Sequence, residues 1–182
     1  MMMNRVWAMP SPLTYTVKPI KEVVERYLEE IGGISLDPFA RDTEYATYRN
    51  DIHPDTKAQY HEDAYAFLLR MEREIGRANL VLFDPPYSPR QAVDCYQAAG
   101  VDLKELDAAL NRKANAWQRT KNWKEEKDTI ARMQCPGDAV ISFGWDSNGM
   151  GKGRGYKIIE LLLVCHGACH NDTICIVERR AT

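Results

Sequence analysis

A run of four apolar residues that stops abruptly at Asp84-Pro85-Pro86-Tyr87 constrains the fold of this chain more than any other segment. The run 80–83 is too short for a helix and is typical of a buried strand. Two consecutive prolines fix their own φ angles and restrict the backbone before them. The chain is therefore predicted to leave the sheet as a rigid, extended lip, with a carboxylate before it and an aromatic ring after it.

Short apolar strands alternate with amphipathic helices along the whole sequence. Apolar residues recur at helical spacing over 20–31, 64–75 and 103–117, and strands are predicted over 34–36, 45–49, 139–143, 157–165 and 173–178. Only a turn separates the last two strands, so these two must be antiparallel. The pattern predicts an α/β fold, with a mostly parallel twisted sheet, an antiparallel C-terminal hairpin and helices on both faces.

Size and charge narrow the classes of protein. The 182 residues (20.8 kDa) suit one domain spanning 1–182, and 24 basic against 26 acidic side chains give a net charge of −2. A protein that coats nucleic acid is far more basic. Five irregularly spaced cysteines do not form a disulfide framework, and neither a signal peptide nor a membrane span is recognisable. We therefore expect a cytoplasmic protein that does not bind membranes.

Acidic residues follow three of the predicted strands. Asp37, Asp51 and Asp84 each come at or just after a strand end, where ligands bind in open parallel sheets. Three carboxylates on one rim favour a cationic or amine-bearing ligand over a phosphate. Asp84 and the Pro85 carbonyl can accept both protons of a planar amino group, and the Tyr87 ring can stack on the heterocycle that bears it. An ordinary strand-ending turn explains the same four residues without any function.

The string LVLFDPPYSPRQ resembles the catalytic motif of S-adenosylmethionine-dependent DNA methyltransferases that modify the amino group of adenine. The resemblance extends along most of the chain, through the segments YTVKPIKEVVERYL, ISLDPFA, ATYRND, YHEDAYAFL, GDAVISFGW and the C-terminal hairpin. Small phage and prophage proteins of this kind look similar overall. The resemblance implies a Rossmann-like methyltransferase fold, S-adenosylmethionine as cofactor, adenine-containing DNA as substrate, and a bacterial or phage-infected host cell.

The resemblance also assigns roles to individual residues. The catalytic residues would be Asp84, Pro85, Pro86 and Tyr87, which hold the amino group of a flipped base and stack on it. The cofactor-binding residues would be Asp37, Pro38, Phe39, Asp51, Asp63, Tyr15 and Lys18, with Asp51 at the ribose hydroxyls and Asp63 at the adenine amino group. Direct in-line transfer needs orientation more than chemistry from the protein, so neither a metal nor a covalent enzyme intermediate is expected.

The sequence departs from the family pattern after Phe39. The family continues Asp-Pro-Phe-x-Gly-x-Gly, whereas here no glycine follows until Gly76. Glycine serves such loops because the backbone turns with positive φ close to the ligand. Arg41 stands in this loop, either as a partner of the cofactor carboxylate or as a solvated side chain. The missing glycines keep open a catalytically weak or inactive protein that binds nucleic acid or a protein partner, and methylation of RNA is a further alternative.

The chain has no segment large enough for a separate target-recognition domain, so DNA contacts are sought in the helical insert 103–133 and in the glycine-rich stretch 144–155. The predicted DNA-binding residues are Arg90, Arg112, Lys113, Arg119, Lys121, Lys124, Lys152 and Arg154. Solvated surface charges are the alternative for the insert. The glycine-rich stretch is expected to be a mobile loop beside the active site that touches the DNA backbone, with a plain flexible loop as the alternative. Cys165, His166, Cys169 and His170 crowd one turn too closely for a tetrahedral zinc site, so no metal is predicted. A homodimer is left open.

Overall fold

Seven strands carry the fold in a computed structural model that describes residues 1–112, 118, 120–167 and 170–181. The strands are β1 (Met2–Trp7), β2 (Ser35–Asp37), β3 (Tyr48–Arg49), β4 (Leu80–Phe83), β5 (Ala139–Gly144), β6 (Tyr156–Cys165) and β7 (Thr173–Arg180). They form one sheet in the order β1-β6-β7-β5-β4-β2-β3. Strand β7 is antiparallel to both of its neighbours, and every other pair is parallel.

Helices pack on both faces of this sheet, which confirms the predicted fold class. They are α1 (Lys18–Ile31), α2 (Ala64–Glu74), α3 (Pro89–Ala98), α4 (Leu103–Ala109) and α5 (Lys124–Met133), with short 3-10 turns at Thr14–Thr16 and Lys152–Arg154. Strand β4 shows why two layers are needed. Leu80 and Leu82 belong to the apolar cluster under α1, whereas Val81 and Phe83 belong to the cluster under α2 and α5. Within the described part of the chain, no helix is both long and apolar enough to span a membrane.

The structure differs from the prediction in several elements. Strand β1 and helix α3 were not anticipated, and helix α5 forms the last part of the predicted helical insert 103–133. The strand predicted over 45–49 is confined to Tyr48–Arg49, and the helix predicted over 103–117 ends at Ala109, with 113–117 outside the described residues. Strand β1 pairs in parallel with β6 at the edge of the sheet, and most of its residues are exposed. A strand that buries neither face carries no periodic apolar signal.

The glycine-rich segment between β5 and β6 runs from the carboxyl end of β5 back to the level of its amino end. It starts at the carboxyl end of β5, and it ends where Tyr156 of β6 pairs with Arg180, the last residue of β7. The buried Glu178 carboxylate holds the middle of the segment, because it accepts hydrogen bonds from the backbone N–H groups of Met150 and Gly151. This stretch was expected to lie beside the active site, and its residue Trp145 lines the candidate cavity.

Candidate active site

The carboxyl ends of β2, β3, β4 and β5 open into one cavity of about 770 Å³. Strand β2 lies between β3 and β4. The chain runs from β2 to β3 on one side and then returns past β2 to β4 on the other, so the strand order reverses here. Open α/β sheets bind ligands in the crevice at such a point. The lining includes Pro38 and Phe39 after β2, Asp51 after β3, Asp84, Pro85, Pro86 and Tyr87 after β4, and Trp145 after β5. The structure thus brings the residues from three separate motifs into one cavity.

Asp84 and Tyr87 form a hydrogen-bonded pair in the cavity wall. The Tyr87 hydroxyl donates to Asp84 Oδ1 at 2.8 Å. Burial raises the pKa of the Asp84 carboxyl, while hydrogen bonds with the side chains of Thr14 and Tyr87 oppose that rise. Burial and the nearby carboxylate also raise the pKa of Tyr87, which keeps its hydroxyl protonated as a donor. The lip therefore presents an acceptor carboxylate whose ionised form is supported by two neighbouring hydroxyls.

Trp145 extends the aromatic wall on the side of Tyr87. It was not predicted as a site residue from the sequence. The two rings meet edge to face, with centroids 5.6 Å apart and planes at 74°. Trp145 is 43% exposed although it lines the cavity, so one part of its indole faces solvent at the mouth. Its position directly after strand β5 was the available signal, because residues at that point of the sheet join the ligand crevice.

Asp37 lies deeper than the other carboxylates and is fully buried. Its Oδ1 accepts the backbone N–H of Phe39 at 3.0 Å, and among the described residues its Oδ2 has no hydrogen bond of normal geometry. Burial raises the pKa of Asp37 well above its ordinary range, and the neighbouring Asp84 and Asp51 raise it further. Tyr15, also buried, lies beside Asp37, and burial raises the pKa of its hydroxyl in turn. A buried, poorly satisfied oxygen at this point suits a cationic ligand.

Phe39 packs against two other aromatic side chains, across the cavity from Tyr87 and Trp145. Its ring meets Phe83 and Trp123 edge to face, at centroid distances of 5.4 and 5.1 Å. Trp123 is buried, takes the left-handed conformation and immediately precedes α5. The predicted insert therefore contributes an aromatic wall to the cavity.

Arg41 occupies the position at which the family pattern has its first glycine, and its backbone does what glycine would do there. Its φ angle is 51°, in the left-handed region. Asp51 Oδ2 accepts the Arg41 N–H at 3.1 Å, while Asp51 Oδ1 accepts the N–H of His53 at 2.9 Å. The Arg41 guanidinium donates to the carbonyl of Pro12, in the segment that leads from β1 to α1. The missing glycine has therefore not abolished the turn.

Asp63 has a different environment from the predicted one. It caps helix α2 by accepting the N–H groups of Tyr65 and Ala66, and it also accepts the Tyr96 hydroxyl at 2.5 Å and the Arg112 guanidinium at 3.0 Å. Its side chain is fully buried. Both oxygens are engaged inside the protein, so a hydrogen bond to a bound adenine would require one of these partners to move.

The structure places three of the predicted DNA-binding residues away from the cavity, namely Arg112, Lys152 and Arg154. Arg112 has a side chain only 1% exposed, enclosed by carboxylates, so in this arrangement it cannot reach phosphate. Lys152 and Arg154 lie near the amino ends of the parallel strands, whereas Asp84 follows the carboxyl end of β4. Arg90, Lys121 and Lys124 are exposed, and so is Lys18, whose ammonium lies 3.9 Å from Glu22. Lys113, Arg119 and Cys169 lie outside the described residues.

The chemistry of the cavity fits S-adenosylmethionine. The ligand is positively charged at its sulfonium and amino groups. Asp51 and Asp84 line the crevice, and Asp37 is buried close enough to both that their charges act on it. Phe39 and the aromatic group around it offer a flat apolar surface for an adenine ring. The volume is within the usual range for small-molecule sites.

Three solved structures are similar in fold to this chain at low sequence identity. A SAM-dependent methyltransferase from Agrobacterium tumefaciens is 11% identical, with a TM-score of 0.54 over 88% of this chain and 60% of its own. TrmN from Thermus thermophilus is 13% identical, with a TM-score of 0.53 over 90% of this chain and 49% of its own. SMU.776, solved in complex with SAH, is 9% identical, with a TM-score of 0.54 over 87% of this chain and 49% of its own.

The chain spans about half to three fifths of the length of these structures. No protein-family model matches the sequence, and no curated protein matches it significantly. At such low identity the likeness concerns the fold alone, and the strand order and the cavity agree with it. The chain has the Rossmann-like fold of SAM-dependent methyltransferases.

Proposed function

We propose that this protein transfers a methyl group from S-adenosylmethionine to the exocyclic amino group of adenine in DNA. The observation that carries the proposal is the shared cavity. Strand β4 delivers Asp84 and Tyr87 to the same crevice that Phe39 and Asp51 enter from β2 and β3. An amino-group acceptor site and a site suited to a sulfonium cofactor thus meet without any intervening element.

The cofactor would be held by residues of the first three strand ends. Asp51 has both oxygens fixed by backbone N–H groups, and each oxygen retains a lone pair for a ribose hydroxyl. Phe39 would pack along the cofactor, and Asp37 would face its amino group. Tyr15, which lies beside Asp37, would support that carboxylate. Bound S-adenosylmethionine would supply the electrophilic methyl group and become S-adenosylhomocysteine as its sulfur–methyl bond breaks, and the methylated nitrogen would release one proton to solvent.

The acceptor amino group needs orientation, because its lone pair is delocalised into the ring. Asp84 and the Pro85 carbonyl would accept its two protons and leave the lone pair directed at the methyl group. In the present arrangement the Tyr87 hydroxyl already donates to Asp84 Oδ1. A carboxylate oxygen has more than one acceptor site, so the amino group can bind beside the hydroxyl or displace it. The Tyr87 ring then forms one side of the base pocket.

Asp84→Asn provides the direct test. We expect labelled-methyl transfer to adenine-containing DNA to fall by about 100-fold or more, because an amide at this position presents a donor to the amino group and loses the charge. S-adenosylmethionine binding, measured by calorimetry, should remain. Asp94→Asn is the matched control, since Asp94 lies on α3 with a side chain 65% exposed.

Two results would contradict the proposal. Absence of S-adenosylmethionine binding at millimolar concentration would favour the alternative of a methyltransferase-fold protein that only binds nucleic acid or a protein. Cofactor binding with full transfer by the Asp84→Asn variant would remove Asp84 from the mechanism.

RNA is the second candidate substrate, and the position of the basic residues supports including it. Arg112 is buried and Arg154 lies at the far ends of the strands, so these two of the cations proposed for a DNA duplex do not flank the mouth. An acceptor base that is already unpaired needs no such flanking cations to extract it. Transfer assays should therefore compare single-stranded DNA, duplex DNA and RNA of one sequence.

A further inference from the structure

A second cavity, of about 620 Å³, lies at the amino ends of the parallel strands, opposite the candidate active site. It is lined by Arg132 of α5, Arg154 of the turn before β6, and Arg180 at the end of β7, with Asp128 as the acidic residue among the lining side chains. We call this cavity the arginine groove. Strand β5 separates it from the active site, and its six residues correspond to roughly 20 Å.

Each arginine of the groove is held by only part of its guanidinium. Arg132 gives Nε and Nη2 to Glu72, at 2.7 and 2.8 Å. Arg154 gives Nε to Asp128 at 2.6 Å and Nη1 to the Met150 carbonyl at 2.9 Å. These bonds fix where the two cations stand, which removes much of the entropy that a free arginine loses when it binds an anion.

The remaining nitrogens are donors without partners. Among the described residues, Nη1 of Arg132 and Nη2 of Arg154 have no hydrogen-bond partner. Arg180 donates through Nη1 to the Arg154 carbonyl and stacks over the Tyr156 ring, 5.3 Å from its centroid, while its Nε is buried without a partner. Three guanidiniums therefore keep N–H groups around one cavity that no acceptor among the described residues takes up, while Asp128 in the lining and Glu72 beside it pair with two of them.

We propose that the arginine groove binds a phosphate group. Planar guanidiniums match phosphate oxygens in charge and geometry, and they bind them with two parallel N–H bonds where lysine offers only a point charge. The groove is open and broad, which suits a phosphate carried on a larger molecule. The phosphate can come from a small phosphoester or from a nucleic-acid backbone, and the two share this chemistry. The proposal does not depend on the reaction at the other edge of the sheet.

Calorimetric titration with three probes tests the groove. Inorganic phosphate represents the free anion, uridine monophosphate a phosphomonoester, and single-stranded oligothymidylate a phosphodiester backbone. Neither of the last two carries an exocyclic amino group, so binding through the amino acceptor site is avoided. We expect the double variant Arg132→Gln/Arg180→Gln to bind at least tenfold more weakly than the unchanged protein. Arg73→Gln, at an exposed position on α2 outside the groove lining, should bind normally.

The probe that binds identifies the source of the phosphate. Oligothymidylate binding that the double variant loses indicates a nucleic-acid backbone, and loss confined to the two smaller probes indicates a small phosphoester. If the double variant is unstable, the amide resonances of Gly153 and Gly155 in the unchanged protein provide a second measurement, because both residues line the groove. Absence of binding by all three probes, or equal binding by the double variant, would overturn the proposal.

Discussion

Two carboxylates of the candidate site, Asp37 and Asp84, owe their properties to where the strands place them. Asp84 remains partly accessible, and although burial raises its pKa, the hydrogen bond from the Tyr87 hydroxyl opposes that rise. Asp37 is fully buried, and its neighbourhood is acidic, which favours the protonated form. Ionised Asp37 therefore costs folding free energy in the absence of a cationic ligand. Strain of this kind is common where a site is shaped for a ligand.

Asp37→Asn should make the free protein more stable at neutral pH. The raised pKa means that the folded state holds this proton more tightly than the unfolded state does, so stability falls as pH rises from the ordinary value of 3.8 through the raised pKa. Asparagine does not titrate and keeps an oxygen for the Phe39 N–H. We expect a gain of about 1.4 kcal/mol for each unit by which the pKa is raised.

Urea unfolding at several pH values measures this effect. The difference between the Asp37→Asn variant and the unchanged protein should be small near pH 3 and should grow toward pH 7. Asp94→Asn, at an exposed position, should show no such growth. A variant that is less stable at pH 7 would show that Asp37 is stabilised by its surroundings. Binding of S-adenosylmethionine should weaken in the same variant if Asp37 faces the cofactor amino group.

At the level of single residues, the sequence predicted positions better than environments. Asp37, Asp51 and Asp84 were expected on one rim because strand ends converge. Asp51 and Asp84 line the cavity, and Asp37 is fully buried close to both. Asp63 was expected to face the cofactor, yet it caps α2 and binds Arg112. That pairing joins residues 49 positions apart, so no local pattern announces it.

Arg112 organises three helices at once. Its guanidinium lies 3.0 Å from Asp63 at the start of α2, 3.7 Å from Asp107 of α4, and 3.2 Å from Glu126 of α5. It also stacks over the Tyr65 ring, 4.7 Å from its centroid. Helices α4 and α5 are therefore tied to the start of α2 through a buried cation.

Arg112→Ala should destabilise the protein by about 3–5 kcal/mol, because it leaves Asp63 and Glu126 buried without their cation. Chemical unfolding measures the loss, and Arg90→Ala at an exposed site should change stability by less than about 0.5 kcal/mol. If Arg112 contacted DNA from the protein surface, its removal would weaken DNA binding and leave the free energy of unfolding unchanged. Unchanged stability with weakened DNA binding in the Arg112→Ala variant would restore the role predicted from the sequence.

Elements with a strong apolar period were predicted, and elements formed by context were missed. Helix α1 presents Ile20, Val24 and Tyr27 on one buried face, which the spacing alone indicates. Helix α3 has a Ser88 cap with proline at its first turn, a signal present in the sequence. Helix α5 follows Trp123 in a left-handed conformation, which no capping rule anticipates. Its existence depends on packing against α2 and the sheet.

At the scale of the whole molecule, strand β1 links the edge of the sheet to the candidate site. Ala8, just after β1, donates its N–H to the Cys165 carbonyl, and its own carbonyl accepts from His166 Nδ1 at 2.8 Å. Since a carbonyl only accepts, Nδ1 carries a proton in this contact. The chain then passes through Pro10, Ser11 and Pro12, which line the cavity. An exposed strand thus anchors one wall of the crevice.

Deletion of residues 1–7 should leave the rest of the sheet folded and loosen this wall. We expect amide exchange over 13–17 to speed up by about tenfold, equivalent to about 1.4 kcal/mol of lost local protection, while β4 changes little. Hydrogen-exchange mass spectrometry reports both regions, and Met3→Ser serves as control because it keeps the β1 backbone and replaces an exposed side chain. Equal exchange in the deletion variant and the control would show that β1 does not anchor the wall.

The left-handed backbone at Arg41 bears on how such proteins are recognised from sequence. The turn after Phe39 is held by Asp51, which accepts the Arg41 N–H, so the conformation is enforced from a neighbouring strand. A search pattern that demands the letter glycine at this position rejects the chain, although the geometry that the letter stands for is present. Patterns that record the required dihedral angle together with its distant hydrogen-bond partner would retain it, and divergent sequences are where the two kinds of pattern disagree.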